Sequence, residues 1–454
     1  MPETGVGTSE RFFWGAATAA YQIEGSPLAD GAGRCIWHEF AHTPGTTHNG
    51  DNGDVAADHY NRWPEDVALM RRLNLGAYRF SLRWPRILPE GTGRVNRAGL
   101  DFYDRLVDAL LEAGVQPFVT LFHWDLPSAL MRRGGWSNPD IAGWFAEYTS
   151  VVAGALSDRV KHWMTLNEPF VVSAEGHLVG HHAPGMTNIY QACHSVHHQI
   201  RAHVAGYEVL KAAAPDAEVG LAAHDAAVWP ASEDQEDVAA AERAEGWHNF
   251  PLFFDPLVYG RYPAAVESLI APYLPEGYEA DMDAMQVAPD FVGLNYYHGY
   301  HARNSTDNWL GFAMVDEPEV PRTTMDWTVR PAGLHRLIMQ AHERYKLPAI
   351  YVTENGASYD DTLEHVDGGA GAVHDPDRLA YIESHVAATL QARDEGAPVK
   401  GYFVWSLMDN FEWGLGYSKR FGLVYIDYET QERVVKDSGH WYAELARTGA
   451  PPPA

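Results

Sequence analysis

At 454 residues, 46% hydrophobic and 12% aromatic, the chain can bury a large core and has no low-complexity block, which excludes a disordered protein. With 33 basic and 61 acidic side chains the formal charge is 33 − 61 = −28, a field that repels nucleic acid and anionic membrane surfaces. No stretch approaches the roughly 18 apolar residues of a membrane span, and no basic-then-apolar leader opens the chain, so a cytoplasmic location is expected.

In chain order, short β-rich runs alternate with amphipathic stretches. The runs are RFFWGAAT (11–18), AYRFSLRW (77–84), QPFVTLFH (116–123), HWMTLNE (162–168), EVGLAAH (218–224), DFVGLNYY (290–297), AIYVTEN (349–355) and KGYFVWSL (400–407). Strands apolar on both faces belong in a parallel sheet covered by helices. Eight of them predict an α/β fold: one (β/α)8 TIM barrel with extended βα loops, a single domain over 1–454 with loose ends at about 1–10 and 447–454. LDFYDRLVDALLEAGVQPFVTLFH shows the plan, since Leu106, Val107, Leu110 and Leu111 fall at helical spacing and Gly114 stands where a helix end needs positive φ. WPEDVALMRRLNLGAYRF repeats it, with Pro64 in the first turn and Gly76 after the last. Cys35 and Cys193 lack redox or zinc spacing and are expected as buried thiols.

Arg79, His123, Glu168, His224, Asn295, Glu354 and Trp405 stand near the ends of successive runs, in steps of 44, 45, 56, 71, 59 and 51 residues by subtraction. Barrel enzymes assemble their sites at that end of the strands, so these side chains should meet at one mouth. Two unlinked apolar runs, WMTLNEP (163–169) and YVTENG (351–356), each close on a glutamate, and a shared pocket explains both better than two exposed strand ends.

A pair of carboxylates without metal-ligand spacing suits a bond that needs both protonation and attack, and glycoside hydrolysis is the leading case. Arg79 would stabilise an ionised Glu354, while an apolar surround would favour the protonated form of Glu168. Gln22, His123, Asn167, Asn295 and Glu412 supply hydrogen-bonding groups for hydroxyls, and Trp124, Trp405 and Trp413 supply flat faces for a sugar ring. No glycine-rich phosphate loop follows any strand. A lone tryptophan is more often core, but WSLMDNFEWG gathers two tryptophans, an aspartate, an asparagine and a glutamate in ten residues.

On FFWGAATAAYQIEG, DVAADHYNRWPEDVALM, YRFSLRWPRILPEG, FVTLFHWDLP, TLNEP, FVGLNYY, YVTENG and WSLMDNFEWGLGYSKRFGLVYID, the chain resembles glycoside hydrolase family 1, the retaining β-glucosidase and β-galactosidase family, over nearly its whole length. The resemblance implies a (β/α)8 barrel, double displacement and no cofactor. It implies Glu168 as acid/base, Glu354 as nucleophile, and a glycone held by Gln22, His123, Trp124, Asn167, Trp405, Glu412 and Trp413. It further implies that Tyr297 donates to the nucleophile beside Arg79, that Trp327 forms the +1 platform and that Phe421 closes the inner pocket. His224 departs from the asparagine frequent in the family, and Arg83 from smaller or uncharged residues.

The expected activity is hydrolysis of terminal non-reducing β-D-glucosyl residues of β-glucosides and cello-oligosaccharides, with side activity on β-galactosides or β-fucosides. Two alternatives stand beside it. One is a 6-phospho-β-glucosidase, in which the phosphate would meet Glu412; the other is a non-hydrolytic sugar-binding barrel. Among 23 histidines, His194, His197 and His198 share a helical face, which hydrogen-bonded or surface histidines explain better than zinc. DNGDVAADH (51–59) resembles a calcium loop only faintly, lacking the twelve-residue loop and its terminal glutamate. No metal is expected, the partner is a small-molecule β-glucoside, and the sequence leaves the oligomeric state, a homo-oligomer included, open.

Overall fold

The computed structural model describes residues 12–364 and 371–452. Its strands are β1 (Phe13–Ala17), β2 (Ala77–Ser81), β3 (Gln116–Phe122), β4 (His162–Asn167), β5 (Glu218–Pro230), β6 (Phe291–Asn304), β7 (Phe312–Met314), β8 (Ile350–Asn355), β9 (Val399–Trp405), β10 (Val424–Ile426) and β11 (Arg433–Val435). β1 to β6, β8 and β9 pair in parallel, and the β5–β6 pairing closes the ring. The fold is therefore a (β/α)8 barrel, with one strand for each of the eight apolar runs.

Both faces of the barrel strands are covered, which is why their sequences do not alternate. Every residue of β2 and of β8 is buried. The floor of the barrel is aromatic: the Phe118 and His162 rings stack with centroids 4.1 Å apart, and Phe403 meets Phe118 at 4.8 Å. β5 and β6 run well past the expected ends, staying paired from Ala227–Gly299 to Pro230–Ala302, and β7 adds antiparallel to the outer part of β6. This ribbon raises one wall of the mouth, an extension that loop-like residues such as His298 and Gly299 did not announce.

Local details depart from the sequence reading in instructive ways. The helix Arg97–Glu112 buries Leu106, Val107 and Leu110 and ends before Gly114 at φ 79°, but Leu111 lies on its outer side, 36% exposed. The helix expected to open near Pro64 begins five residues earlier, at His59, and Asn74 at φ 55° rather than Gly76 takes the left-handed turn after it. At the C-terminal end the helix Asp437–Thr448 holds Arg447 and Thr448, so the chain stays ordered two residues into the stretch expected to be loose. Residues 1–10 of the other expected loose end lie outside the described residues, as do 453–454. Cys35 and Cys193 are free and buried.

Candidate active site

The C-terminal ends of the strands open into a cavity of about 810 Å3. Glu168, Glu354 and Glu412 lie on its wall together with His123, Tyr297 and Phe421. Its aromatic faces are Trp124, Trp327, Trp405 and Trp413. Gln22, Arg79, Asn167 and Asn295 are buried behind this lining.

Glu354 is the penultimate residue of β8, where the β6–β8 register shifts just before the Asn295–Glu354 pair. Glu168 follows β4 directly at φ 44°, ψ 60°, a left-handed conformation uncommon for glutamate. Its N–H donates to Ala222 O on β5 at 2.8 Å, and Pro169 opens the next helix. The chain thus breaks the strand direction at the carboxylate, and strained backbone of this kind concentrates at functional sites.

A continuous chain of hydrogen bonds links the two glutamates. Arg79 Nη1 donates to Glu354 Oε1 at 2.5 Å, and its Nη2 donates to Asn167 Oδ1 at 2.5 Å. Asn295 Nδ2 donates to that same Asn167 oxygen at 3.0 Å and to Glu168 Oε1 at 2.9 Å. Tyr297 donates its phenol to Glu354 Oε2 at 2.6 Å. Because Asn167 Oδ1 is the acceptor, its amide nitrogen is the donor to His123 Nε2, 3.0 Å away. Trp124 Nε1 donates to the Asn167 carbonyl at 3.0 Å, fixing the indole at the cavity wall.

Asn295 therefore differs from its expected place as a hydroxyl partner. Its amide nitrogen is engaged by Asn167 and Glu168, and its oxygen accepts from Thr353 Oγ1 at 2.7 Å. Gln22 likewise sits behind the cavity. Its amide nitrogen donates to Asn410 Oδ1 and the Phe411 carbonyl, both at 2.9 Å, and reaches Glu412 Oε2 at 3.4 Å.

Three carboxylates in one enclosed space make the electrostatics uneven. Burial pushes the Glu354 carboxyl up, to about 7; Arg79 pulls it down, the charge of Glu168 pushes it further up, and the Tyr297 bond pulls down again. Glu412, lacking a cation, is pushed up to about 8 by burial and then by the charges of Glu354 and Glu168. Burial holds the His123 imidazolium well below its ordinary range, with Arg79 adding in the same direction.

Histidines complete the mouth: His224, expected there, together with His182 and His298, which the sequence reading did not single out. His224 Nδ1 lies 3.6 Å from Glu168 Oε1, and its ring stacks on Phe170 with centroids 5.9 Å apart. His182 packs against Trp124 at 5.4 Å, and His298 stacks on Trp327 at 5.6 Å. Burial pushes these two down, to about 4 and about 3, so both present neutral rings. The alternation of β6 residues around NYY was the available signal for His298, while the fold of the 174–182 segment left none for His182.

No lysine or arginine is among the described residues on the cavity wall. Lys419 donates to the Thr324 carbonyl at 2.5 Å, and Arg420 pairs with Asp409 at 2.6 Å. A phosphate on the glycone would meet Glu412 without a free cation beside it. His197 and His198 are likewise engaged, the first with Tyr262 and Asp281 at 3.0 Å each and the second with the Trp136 carbonyl at 2.8 Å.

Paired carboxylates in an aromatic, hydroxyl-matching cleft at the mouth of a (β/α)8 barrel define a glycoside hydrolase. The description "Glycosyl hydrolase family 1" matches residues 8–450, and the chain belongs to that family. It is 52% identical to the beta-glucosidase A of Thermotoga maritima over 96% of this chain and 97% of the relative. It is 50% identical to the 1,4-beta-D-glucan glucohydrolase of Thermotoga neapolitana, over 96% and 98%. The solved structure of the family 1 β-glucosidase from Thermotoga maritima in complex with isofagomine lactam superposes with a TM-score of 0.94 at 52% identity, covering 96% of this chain and 98% of that one.

Proposed function

We propose that this glycoside hydrolase is a retaining β-glucosidase that releases terminal non-reducing β-D-glucosyl residues from β-glucosides and cello-oligosaccharides by double displacement. The observation that carries the assignment of roles is the unequal support of the two glutamates. Glu354 is bonded on one oxygen by a guanidinium and on the other by a phenol, both of which favour its charged form, whereas Glu168 receives an uncharged amide. Glu354 is thus equipped to act as the carboxylate nucleophile, and Glu168 is left for proton transfer.

The steps follow from that distribution. Glu354 attacks the anomeric carbon while Glu168 gives its proton to the leaving oxygen, forming a covalent glucosyl ester. Glu168, now a carboxylate, takes a proton from water, and that water displaces Glu354 to release glucose with retained configuration. As charge leaves Glu354, the Tyr297 and Arg79 bonds weaken, and they re-form on the returning carboxylate. Glu412 accepts or donates to glycone hydroxyls, and Trp405 and Trp413 flank the ring.

The same polar set admits the C4 epimer and the 6-deoxy sugar, so side activity on β-galactosides and β-fucosides is part of the reading. The named action of the Thermotoga neapolitana relative on 1,4-β-glucan supports cello-oligosaccharides as substrates and a place in cellulose breakdown. No helix among the described residues is long and apolar enough to cross a membrane, and two buried free thiols suit a reducing compartment; we place the enzyme in the cytoplasm as one barrel domain.

The test is Glu354→Gly assayed on nitrophenyl β-glucoside, with and without azide. The variant should be inactive alone and should yield the α-glucosyl azide when azide fills the space of the lost carboxylate. Turnover near the native rate in Glu354→Gly would remove Glu354 from the mechanism.

A further inference from the structure

Beside the mouth, and outside the catalytic machinery, His38, His42 and Asp54 form a cluster that the glycosidase reaction does not use. The helix Ile36–Ala41 carries His38, and His42 caps its C-terminal end, four residues on, so both rings lie on one face with centroids 4.3 Å apart. Asp54, from the DNGDVAADH stretch, faces them with both oxygens. Oδ1 is 3.6 Å from His38 Nδ1, and Oδ2 is 3.1 Å from His42 Nε2. One donor atom from each of the three lies within 4.8 Å of the others.

One feature of this cluster is unexplained by protein contacts alone. His38 is 7% exposed, and its Nδ1, aimed at Asp54, has no hydrogen-bond partner. His42 Nδ1 bonds the His38 carbonyl at 2.7 Å, which makes that nitrogen the donor and leaves Nε2 directed at a carboxylate.

We propose that His38 Nδ1, His42 Nε2 and the Asp54 carboxylate bind a borderline transition-metal dication, with zinc the best match. Zinc bonds of roughly 2.0–2.2 Å to nitrogen and oxygen place tetrahedral ligands about 3.4 Å apart, between the two spacings seen here. The carbonyl bond on His42 Nδ1 is the outer contact that fixes a ligating histidine's tautomer. Two imidazoles with one carboxylate favour zinc, copper or nickel over calcium or magnesium, which prefer all-oxygen shells. The His42 and Asp54 side chains are 39% and 44% exposed, which leaves an entry path and a fourth position for water.

The site would act on the cleft through structure. Trp37, next to His38, packs against Trp413 at 4.6 Å, and Phe40 and Thr46 of the same segment line the cavity. Asp51, three residues before Asp54, accepts the Tyr417 N–H at 3.0 Å. A metal joining His38, His42 and Asp54 clamps these two segments behind the Trp413 wall and leaves both catalytic carboxylates untouched.

The experiment is calorimetric titration of zinc chloride into the full chain after chelator treatment and dialysis, repeated on His42→Ala, Asp54→Asn and, as a surface-histidine control, His194→Ala. We expect saturable binding of one equivalent, weakened at least tenfold in His42→Ala and in Asp54→Asn and unchanged in His194→Ala, with all variants hydrolysing nitrophenyl β-glucoside in chelator as the native protein does. Absence of a one-equivalent site, or equal binding by the native protein and both ligand variants, overturns the proposal. Should His42→Ala fail to fold, Asp54→Asn carries the same comparison by itself.

Discussion

His224 Nδ1 on β5 stands 3.6 Å from Glu168 Oε1, the oxygen that also accepts Asn295 Nδ2 at 2.9 Å. Burial pulls the imidazolium down, but the Glu168 carboxylate outweighs it, with Asp225 and Glu175 adding, and the ring sits above its ordinary value. The attraction between the imidazolium and the carboxylate is reciprocal, and it is lost when the ring is replaced. His224→Asn should therefore move the alkaline limb of kcat/KM to higher pH, by about half a unit or more for a charge at this range. The pH–rate profile decides it, and an unmoved limb would show that His224 only shapes the mouth.

Tyr297 acts on the other limb. Its bond to Glu354 Oε2 favours the carboxylate, against the burial that pushes Glu354 up to about 7. Removing that bond in Tyr297→Phe leaves the carboxyl higher still, so activity should fall away at a higher pH on the acid side. A charge-assisted hydrogen bond of about 1.5 kcal/mol corresponds to about one pH unit. The readout is the acid limb of kcat/KM on nitrophenyl β-glucoside; a limb displaced downward would contradict the bonding pattern.

The barrel was legible because eight runs apolar on both faces leave few alternatives, and Glu168 and Glu354 were legible because each ends such a run. What stayed hidden depends on side-chain direction. Asn295 reads as a pocket residue at a strand end, yet the register shift beside it turns its amide toward Asn167 and Glu168. The bond between Arg79 and Asn167 joins positions 88 residues apart, which no local pattern records. His224 was visible as a departure from asparagine, but its contact with Glu168 requires knowing that β4 ends in a left-handed turn.

Gly356 is required by proximity rather than by backbone freedom. It follows Glu354 and Asn355, and its φ is not in the left-handed region. The constraint is proximity: a Cβ there would stand 1.7 Å from the Trp405 carbonyl oxygen. Gly356→Ala must push β8 and β9 apart beneath Glu354 and Trp405. The expected outcome is a loss of more than about 3 kcal/mol of stability, beyond the usual range for overpacking because backbone is displaced. Soluble yield and thermal melting test it, and a variant as stable as the native protein would exclude the close approach.

The loop bearing Glu412 is held by a buried ionic network, and acid should release it. Asp409 is fully buried; it accepts from Lys436 at 2.7 Å, from Arg420 at 2.6 Å and from the Gly422 N–H at 2.9 Å. Burial raises its carboxyl, but Lys436, Arg420 and Arg378 outweigh burial and hold it below the usual range. A carboxyl depressed in the folded state contributes stability above its unfolded value, near pH 4, and that contribution is lost as the pH falls through the folded value. Asp409→Asn leaves Lys436 short of a partner at pH 7, at a cost of about 3 kcal/mol, and frees the 406–413 segment that carries Glu412 and Trp413 into the cavity. Urea unfolding of the native protein and the variant should therefore differ by that amount at pH 7 and converge as the pH falls below about 4, with glucoside turnover in the variant reduced even where it remains folded. A gap that stays constant from pH 7 to pH 3 would mean that the Asp409 charge is not what anchors the loop.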